Sequence, residues 1–213
     1  MKRFTMLICC LFIWGCSSGI NLNVPDSIAN TTAAKGYLAG SLGVTTEWPS
    51  TGEGIITTLF IRPVGQSEHI LVSTPNTTKS DFQSSTDKGQ IFVTALPEGR
   101  YEIHQVIFKG TNGRKTVHSK SNDNLGIFFN VTAARVTYIG QFITSSLVAN
   151  SRLWNTPYPS GFAIVHHSYA AERDQPLMAK RFPAIQALSF YNAELEGYEA
   201  NKLASKVIDN DVD

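Results

Sequence analysis

Short segments rich in β-branched and aromatic residues recur along the chain from about residue 37, and turn-forming residues separate them. Short segments at this spacing are typical of an antiparallel β-sandwich or barrel. The pattern predicts strands at 37–44, 55–62, 69–73, 90–95, 100–109, 114–118, 126–131, 136–144 and 162–167. We therefore expect a mainly β protein, an antiparallel β-sandwich of about seven to nine strands.

Apolar and polar residues alternate most regularly between residues 91 and 104. The odd-numbered residues of 91–95 and 101–103 are apolar, whereas Glu102 and His104 are polar. Because residues two apart share one face of a strand, this alternation predicts a half-buried strand pair joined at 97–99. The dipeptide Asn112-Gly113 predicts a second hairpin, since both residues tolerate the positive φ of a type I′ turn.

The pattern changes beyond residue 145. Residues 154–161 contain two prolines and are predicted to form a loop before the strand at 162–167. Asp174 is predicted to cap a short helix with Pro176 in its first turn.

Residues 184–206 are rich in helix formers, and Tyr191, Leu195 and Tyr198 are spaced to share one helix face. We expect residues 169–213 to form a helical segment that packs on a sandwich of residues 36–168 and ends in an acidic tail.

The first sixteen residues have the layout of a secretory signal. Lys2 and Arg3 precede an apolar run that ends at Gly15-Cys16. The run is shorter than the roughly 20 apolar residues of a membrane-spanning helix. Residues 13–16, Ile-Trp-Gly-Cys, resemble the bacterial lipobox, whose cysteine is lipidated and becomes the N-terminal residue after cleavage.

This resemblance implies a signal peptide at 1–15, a lipidated tether at 16–35, and a membrane anchor formed by acyl chains on Cys16. Ser17 follows the cysteine at the position where Asp would indicate inner-membrane retention. The resemblance therefore implies an outer-membrane lipoprotein of the bacterial cell envelope.

Cleavage before Cys16 would also limit the chemistry of the mature protein. It would leave 16 basic and 17 acidic residues, so no basic excess points to a nucleic-acid partner. Cys9 and Cys10 lie in the signal and Cys16 would be acylated. No cysteine would remain for a disulfide, a catalytic thiolate or a zinc site.

The segment Gly89–Ile103 resembles a hairpin of transthyretin-like and carboxypeptidase-regulatory-like β-sandwiches, and also hairpins of envelope lipoproteins. In this pattern Leu96 fills the core, Pro97 and Gly99 form the turn, and Tyr101 returns to the core. Residues 130–140 resemble the closing strand of such lipoprotein domains. The resemblance implies a fold and leaves the function open.

Histidines are the natural candidates for a metal site. His104 and His118 flank the Asn112-Gly113 hairpin, and the parity of their positions predicts that they face opposite sides of the sheet. His166 and His167 are adjacent in a strand and must diverge. We therefore predict no metal site and no cofactor. Ser85–Lys88 matches the S-x-x-K pattern of serine acyl enzymes without their other motifs.

Our first hypothesis is a lipid-anchored, non-enzymatic binding or assembly module that contacts an envelope protein or a glycan. Trp48, Trp154 and Tyr158 lie in proline-containing loops, where aromatic side chains can stack on a ligand. They are the candidate contact residues.

Two alternatives stay open. One is an envelope hydrolase in which His166 or His167 meets a carboxylate of Asp174 or Glu172. The other is a structural component of a surface or secretion complex that donates a sheet edge to a partner.

Overall fold

The computed structural model describes residues 20–47, 51–74, 79–111, 116–150 and 156–207. It confirms a mainly β protein in which two sheets pack face to face. The strands are β1 (Asn21–Asn23), β2 (Lys35–Thr45), β3 (Ile55–Pro63), β4 (Ile70–Ser73), β5 (Phe82–Gln83), β6 (Asp87–Pro97), β7 (Gly99–Thr111), β8 (Thr116–Lys120), β9 (Ile127–Val131), β10 (Arg135–Asn150), β11 (Pro157–Ser168), β12 (Ser189–Asn192) and β13 (Lys206–Val207). The helices are α1 (Asp26–Ala29) and α2 (Ala171–Arg181), with two 3₁₀ turns at Pro183–Ile185 and Ala200–Leu203.

Sheet 1 is antiparallel and has the strand order β1-β4-β3-β7-β8-β13. The long strand β7 pairs with β3 along one edge. Its other edge is shared by two short strands, β9 along residues 99–103 and β8 along residues 107–111. The predicted hairpin between β7 and β8 is confirmed, although its turn at 112–115 lies outside the described residues.

Sheet 2 has the order β11-β10-β2-β6-β5, and β12 pairs with β10. The expectation of a fully antiparallel sandwich is wrong here, because β10 runs parallel to both β2 and β12. Strands β2 and β10 are far apart in the chain and all of sheet 1 except its two terminal strands lies between them. The connection therefore has room to bring β10 back in the same direction.

The predicted strand pair at residues 91–104 is also corrected. Strand β6 belongs to sheet 2 and β7 to sheet 1, so residues 97–99 lead the chain from one sheet to the other. Pro97 pairs with Lys35, and Gly99 pairs with Val131 of the other sheet. In β7 the odd-numbered apolar residues face the core between the sheets, whereas in β6 they pack on the outer face of sheet 2, and Phe92 and Leu96 face that core. The apolar alternation therefore does not require that the two strands pair.

The main core lies between the sheets, and Leu96 and Tyr101 are buried in it as the sequence predicts. Burial raises the pKa of the Tyr101 hydroxyl to about 12, and this hydroxyl donates a hydrogen bond to the Pro97 carbonyl. A smaller apolar cluster lies on the outer face of sheet 2, where Ile91 and Tyr138 pack beneath Met178 of α2.

Residues 20–34, which the sequence assigns to a tether at 16–35, are part of the fold. Strand β1 pairs with β4, and Ile28 of α1 is 2 % exposed in the main core. Ile20, Leu22 and Val24 supply apolar side chains that pack against the same core. Of the predicted tether, only residues 16–19 lie outside the described structure.

The C-terminal segment is less helical than predicted. Residues 184–206 contain short strands and 3₁₀ turns. The Tyr191 hydroxyl forms a hydrogen bond with Thr137, whereas Leu195 and Tyr198 pack on the main core, so the three residues share no helix face. Strand β11 begins at Pro157, inside the predicted loop. Prolines are tolerated there because β11 is at the edge of sheet 2 in the hydrogen-bonded order.

Candidate ligand-binding site at the loop end of the sandwich

A cavity of about 380 Å³ opens at one end of the sandwich. We call this end the loop end. It contains the last residues of β2 and β4 and the first residues of β3 and β6. The volume lies near the lower limit of small-molecule sites, which are typically about 300–1,000 Å³.

Close strand approach shapes one wall of the cavity. Gly43 of β2 lies directly opposite Gly89 of β6. A Cβ atom at Gly89 would lie 2.4 Å from the Leu42 carbonyl oxygen, so a larger residue would force these strands apart. The remaining apolar residues at the cavity are Leu42, Val44, Ile55 and Ile56.

The polar side of the cavity is organised by β6. Gln90 is 4 % exposed, and its amide donates a 2.6 Å hydrogen bond to the Lys79 carbonyl, which holds residue 79 against the strand. Lys88 forms a 2.8 Å ion pair with Glu53, whose side chain is 62 % exposed. Breaking an ion pair with so exposed a glutamate costs little free energy. The Lys88 ammonium can therefore pair with an anionic ligand instead.

The predicted contact residues cannot be placed directly. Cys16, Trp48 and Trp154 lie outside the described residues, and only the backbone of Tyr158 is described. Strand β10 passes close to the cavity, because the Ser146 backbone amide donates to the Thr51 carbonyl beside the cavity residue Gly52. Tyr158 was expected in a loop, but it lies in strand β11, opposite Ala149 of β10.

His166 and His167 diverge, as their positions in a strand predict. His166 is exposed. The ring of His167 lies between Phe142, Tyr169 and Tyr198, and its Nε2 atom is 2.8 Å from the Ile139 carbonyl oxygen. Burial lowers the pKa of His167, an effect that the hydrogen bond with Ile139 opposes.

The carboxylates that a hydrolase would need are elsewhere. Asp174 belongs to α2 and is completely buried. Ser41 and Tyr138 each donate a 2.6 Å hydrogen bond to its Oδ2 atom. Arg173 donates to Oδ1 at 2.7 Å. Asp174 is therefore not a helix cap as predicted, and the structure does not bring it to either histidine. Glu172 is exposed.

A second polar cluster lies on the outer face of sheet 1. The rings of His69 and His104 are 5.2 Å apart, and Glu102 bonds to Arg62 at 2.9 Å. The sequence suggested no partner for His69. Burial lowers the pKa of His69, and the neighbouring charges of His104 and Arg62 lower it further, against an opposing effect of Glu102.

This cluster corrects the prediction for His104 and His118. A β-bulge in β7 at residue 104 shifts the inward positions from odd to even numbers, so both histidines face outward. Lys109, the partner of His118, is five residues beyond His104, which separates the two rings by roughly 15 Å. Within the described ranges, no three His, Cys, Asp or Glu residues are placed to hold a metal ion.

None of the helices in the described part of the chain is both long and apolar enough to span a membrane. No protein-family profile, no characterised protein and no solved structure matches this sequence or fold. The candidate site is therefore defined by its own geometry.

Proposed function

We propose that this chain is a lipid-anchored protein of the bacterial cell envelope and that its sandwich acts as a binding module. The observation that carries the binding role is the cavity at the loop end, where apolar side chains and a displaceable ion pair line one space. The lipobox-like residues 13–16 support the anchor.

The transthyretin/Ig-like class of the sandwich belongs to the same proposal. Its support is the connection from β6 to β7, where Leu96 and Tyr101 fill the core on either side of the turn at Pro97. The proposal also includes an outer-membrane location and an envelope protein or glycan as the partner. Both rest on the sequence alone.

Replacement of Cys16 tests the anchor. We expect the wild-type protein to incorporate labelled palmitate and to float with membranes on a density gradient. We expect Cys16→Ser to lose both properties, because the thioether needs the cysteine sulfur. Cys10→Ser is the matched control, since it changes a signal-peptide cysteine and should keep both. Continued flotation and cleavage of Cys16→Ser at the same bond would contradict the proposal.

A further inference from the structure

Strand β6 leaves one of its two edges open along the middle of its length. It pairs with β2 from Asp87 to Pro97 without a register shift, whereas β5 covers its other edge only at Lys88 and Gly89. Among the described residues, no further strand pairs with β6. Residues 91–95 therefore lie at an edge of sheet 2.

Hydrogen bonds near the start of β6 show which backbone groups face this edge. The Gly89 carbonyl accepts a bond from the Asp81 amide, and the Ile91 amide donates to the Asp81 carboxylate. The backbone groups of odd-numbered residues in β6 therefore point away from β2. Because this direction alternates along a strand, the amides and carbonyls of Val93 and Ala95 point the same way. In the described part of the chain, none of these four groups has a hydrogen-bond partner.

This edge also lacks the features that usually prevent edge-to-edge pairing, which are charged side chains, prolines and bulges. Residues 91–96 are Ile-Phe-Val-Thr-Ala-Leu, and their register with β2 is continuous. Ala95 is exposed, and Val93 and Thr94 are partly exposed. An accessible edge with unpaired backbone groups is the feature to which an extended peptide adds as a further strand.

The outer face of sheet 2 beside this edge is apolar. The side chain of Val93 packs there on the same cluster as Phe182, the residue that follows α2, and both are only partly buried. The neighbouring Arg181 binds the Asp81 carboxylate at 2.6 Å, and that carboxylate also accepts the Ile91 amide. Phe182 therefore lies close to the edge. A strand added to β6 would place every second side chain on this apolar face.

The open part of the edge is short, and other segments border it at both ends. Strand β5 lies at one end. At the other end the Glu98 amide donates to the Ala34 carbonyl, so the connection between α1 and β2 lies there. The run between them spans roughly 17 Å, which suits one extended peptide. A pair of strands this short buries too little surface for a stable dimer, which needs roughly 1,200 Å² or more, so a second copy is disfavoured.

We propose that residues 91–95 of β6 bind an extended segment of a partner protein, which joins sheet 2 as an edge strand. The amides and carbonyls of Val93 and Ala95 form the hydrogen bonds to this segment. The segment has apolar residues at alternate positions, and these pack beside Val93 and Phe182. The inference goes beyond the proposed function, because it depends neither on the cavity nor on the lipid anchor.

A peptide titration tests this proposal. The full-length protein in detergent is titrated into a short fluorescein-labelled peptide in which valine and threonine alternate between terminal lysines, and binding is measured by fluorescence anisotropy. We expect saturable binding. The same peptide with N-methylated backbone amides should bind about tenfold more weakly, because it keeps the side chains but cannot donate hydrogen bonds. Equal affinities for the two peptides, or no binding of either, would overturn the proposal.

Ala95→Pro removes an amide donor from the edge of the protein itself. The Ala95 amide takes no part in the pairing with β2, so the variant should stay folded, which thermal unfolding checks. We expect it to bind the unmethylated peptide about tenfold more weakly. Ala95→Ser is the matched control, since it keeps the amide and should change the affinity less than twofold. Equal binding by the two variants would contradict the assignment, and the comparison of the two peptides on the wild-type protein does not depend on either variant.

Amide hydrogen exchange distinguishes a peptide from a second copy at this edge. In the free protein the amides of Val93 and Ala95 should exchange much faster than those of Phe92 and Thr94, whose backbone groups face β2. The peptide should slow exchange at Val93 and Ala95 by about tenfold or more and leave Phe92 and Thr94 unchanged. Protection of Val93 and Ala95 without peptide that increases with protein concentration would assign the edge to a second copy and overturn the proposal.

Discussion

The loop end and the C-terminal cover, which we define as residues 169–207, are built in opposite ways. The cover buries a charged network under α2, and its Tyr169 and Tyr198 enclose the ring of His167. The loop end leaves a cavity between the sheets, and its ion pair between Lys88 and Glu53 is exposed.

The difference separates stability from binding. Burial of a polar group costs free energy unless each of its polar atoms has a hydrogen-bond partner. The cover therefore stabilises the fold only when all of its buried hydrogen bonds are formed. Exposed polar groups around a cavity contribute little to stability and can exchange their partners for a ligand. We therefore expect substitutions in the cover to change the free energy of unfolding, and substitutions at the loop end to change binding.

The largest effect is expected for Asp174→Ala in the cover. This variant removes the acceptor shared by Ser41, Tyr138 and Arg173, and it leaves two buried hydroxyl groups without their partner. We expect a loss of about 3 kcal/mol in urea-induced unfolding. Glu172→Ala, an exposed change in the same helix, should cost less than about 0.5 kcal/mol. Equal losses for both would refute the role of the network.

Gly140→Ala should have the next largest effect. Gly140 has a φ of +96°, and an added Cβ would lie 2.3 Å from Nε2 of His167. The ring would have to move and lose its contact with the Ile139 carbonyl, so we expect about 2 to 4 kcal/mol of destabilisation.

Gly65→Ala isolates the backbone contribution. Gly65 has a similar φ of +84°, and an added Cβ would meet no atom within 4 Å. A cost of about 1 to 2 kcal/mol is expected there. If thermal unfolding shows no difference between the two alanine variants, the close packing of His167 against Gly140 contributes nothing to the free energy of unfolding.

A pH dependence should follow from His167. Its pKa is lowered in the folded protein by burial, so the unfolded chain binds the proton more readily. The free energy of unfolding should therefore fall as the pH drops below about 6.5, and the loss should level off below the folded-state pKa. His167→Gln should flatten this decline relative to His166→Gln, although His69 leaves a residual slope. Parallel stability curves for the two variants between pH 7.5 and 5 would contradict this expectation.

The smallest effect on stability is expected at the loop end. Lys88→Gln breaks the ion pair with Glu53, but both side chains are partly exposed, at 32 % and 62 %. We expect a change of no more than about 0.5 kcal/mol in urea unfolding. A loss as large as that of Asp174→Ala would mean that the loop end also determines stability.

Alternation and turn residues predict most strands, because each strand must present one face to the core. The sheet that a strand joins is a separate question. Residues 97–99 look like a hairpin turn, yet they lead from one sheet to the other, and no local pattern distinguishes the two cases. The sequence predicts a tether where the short strand β1 lies, because three residues are too few to show a period.

The site was harder to predict than the fold. Gln90 and Lys88 lie in a strand whose pattern indicates only burial, and their partners Lys79 and Glu53 lie in connecting segments outside the strands. The bulge at residue 104 shows the same limit. One extra residue reverses the face to which every later residue of the strand points, and nothing in the sequence between His104 and His118 indicates it.

The strand pairing of the C-terminal segment has a consequence for crowding. Ala204 bridges to Ile164 of β11, and Lys206 and Val207 pair with β8. These contacts occupy backbone groups at one edge of each sheet that could otherwise pair with another molecule. Proteins confined to a membrane plane meet one another in similar orientations and at high local density. Under the proposed membrane anchor, a sandwich with these two edges covered could be abundant on such a surface with less risk of growing into a continuous sheet with its neighbours.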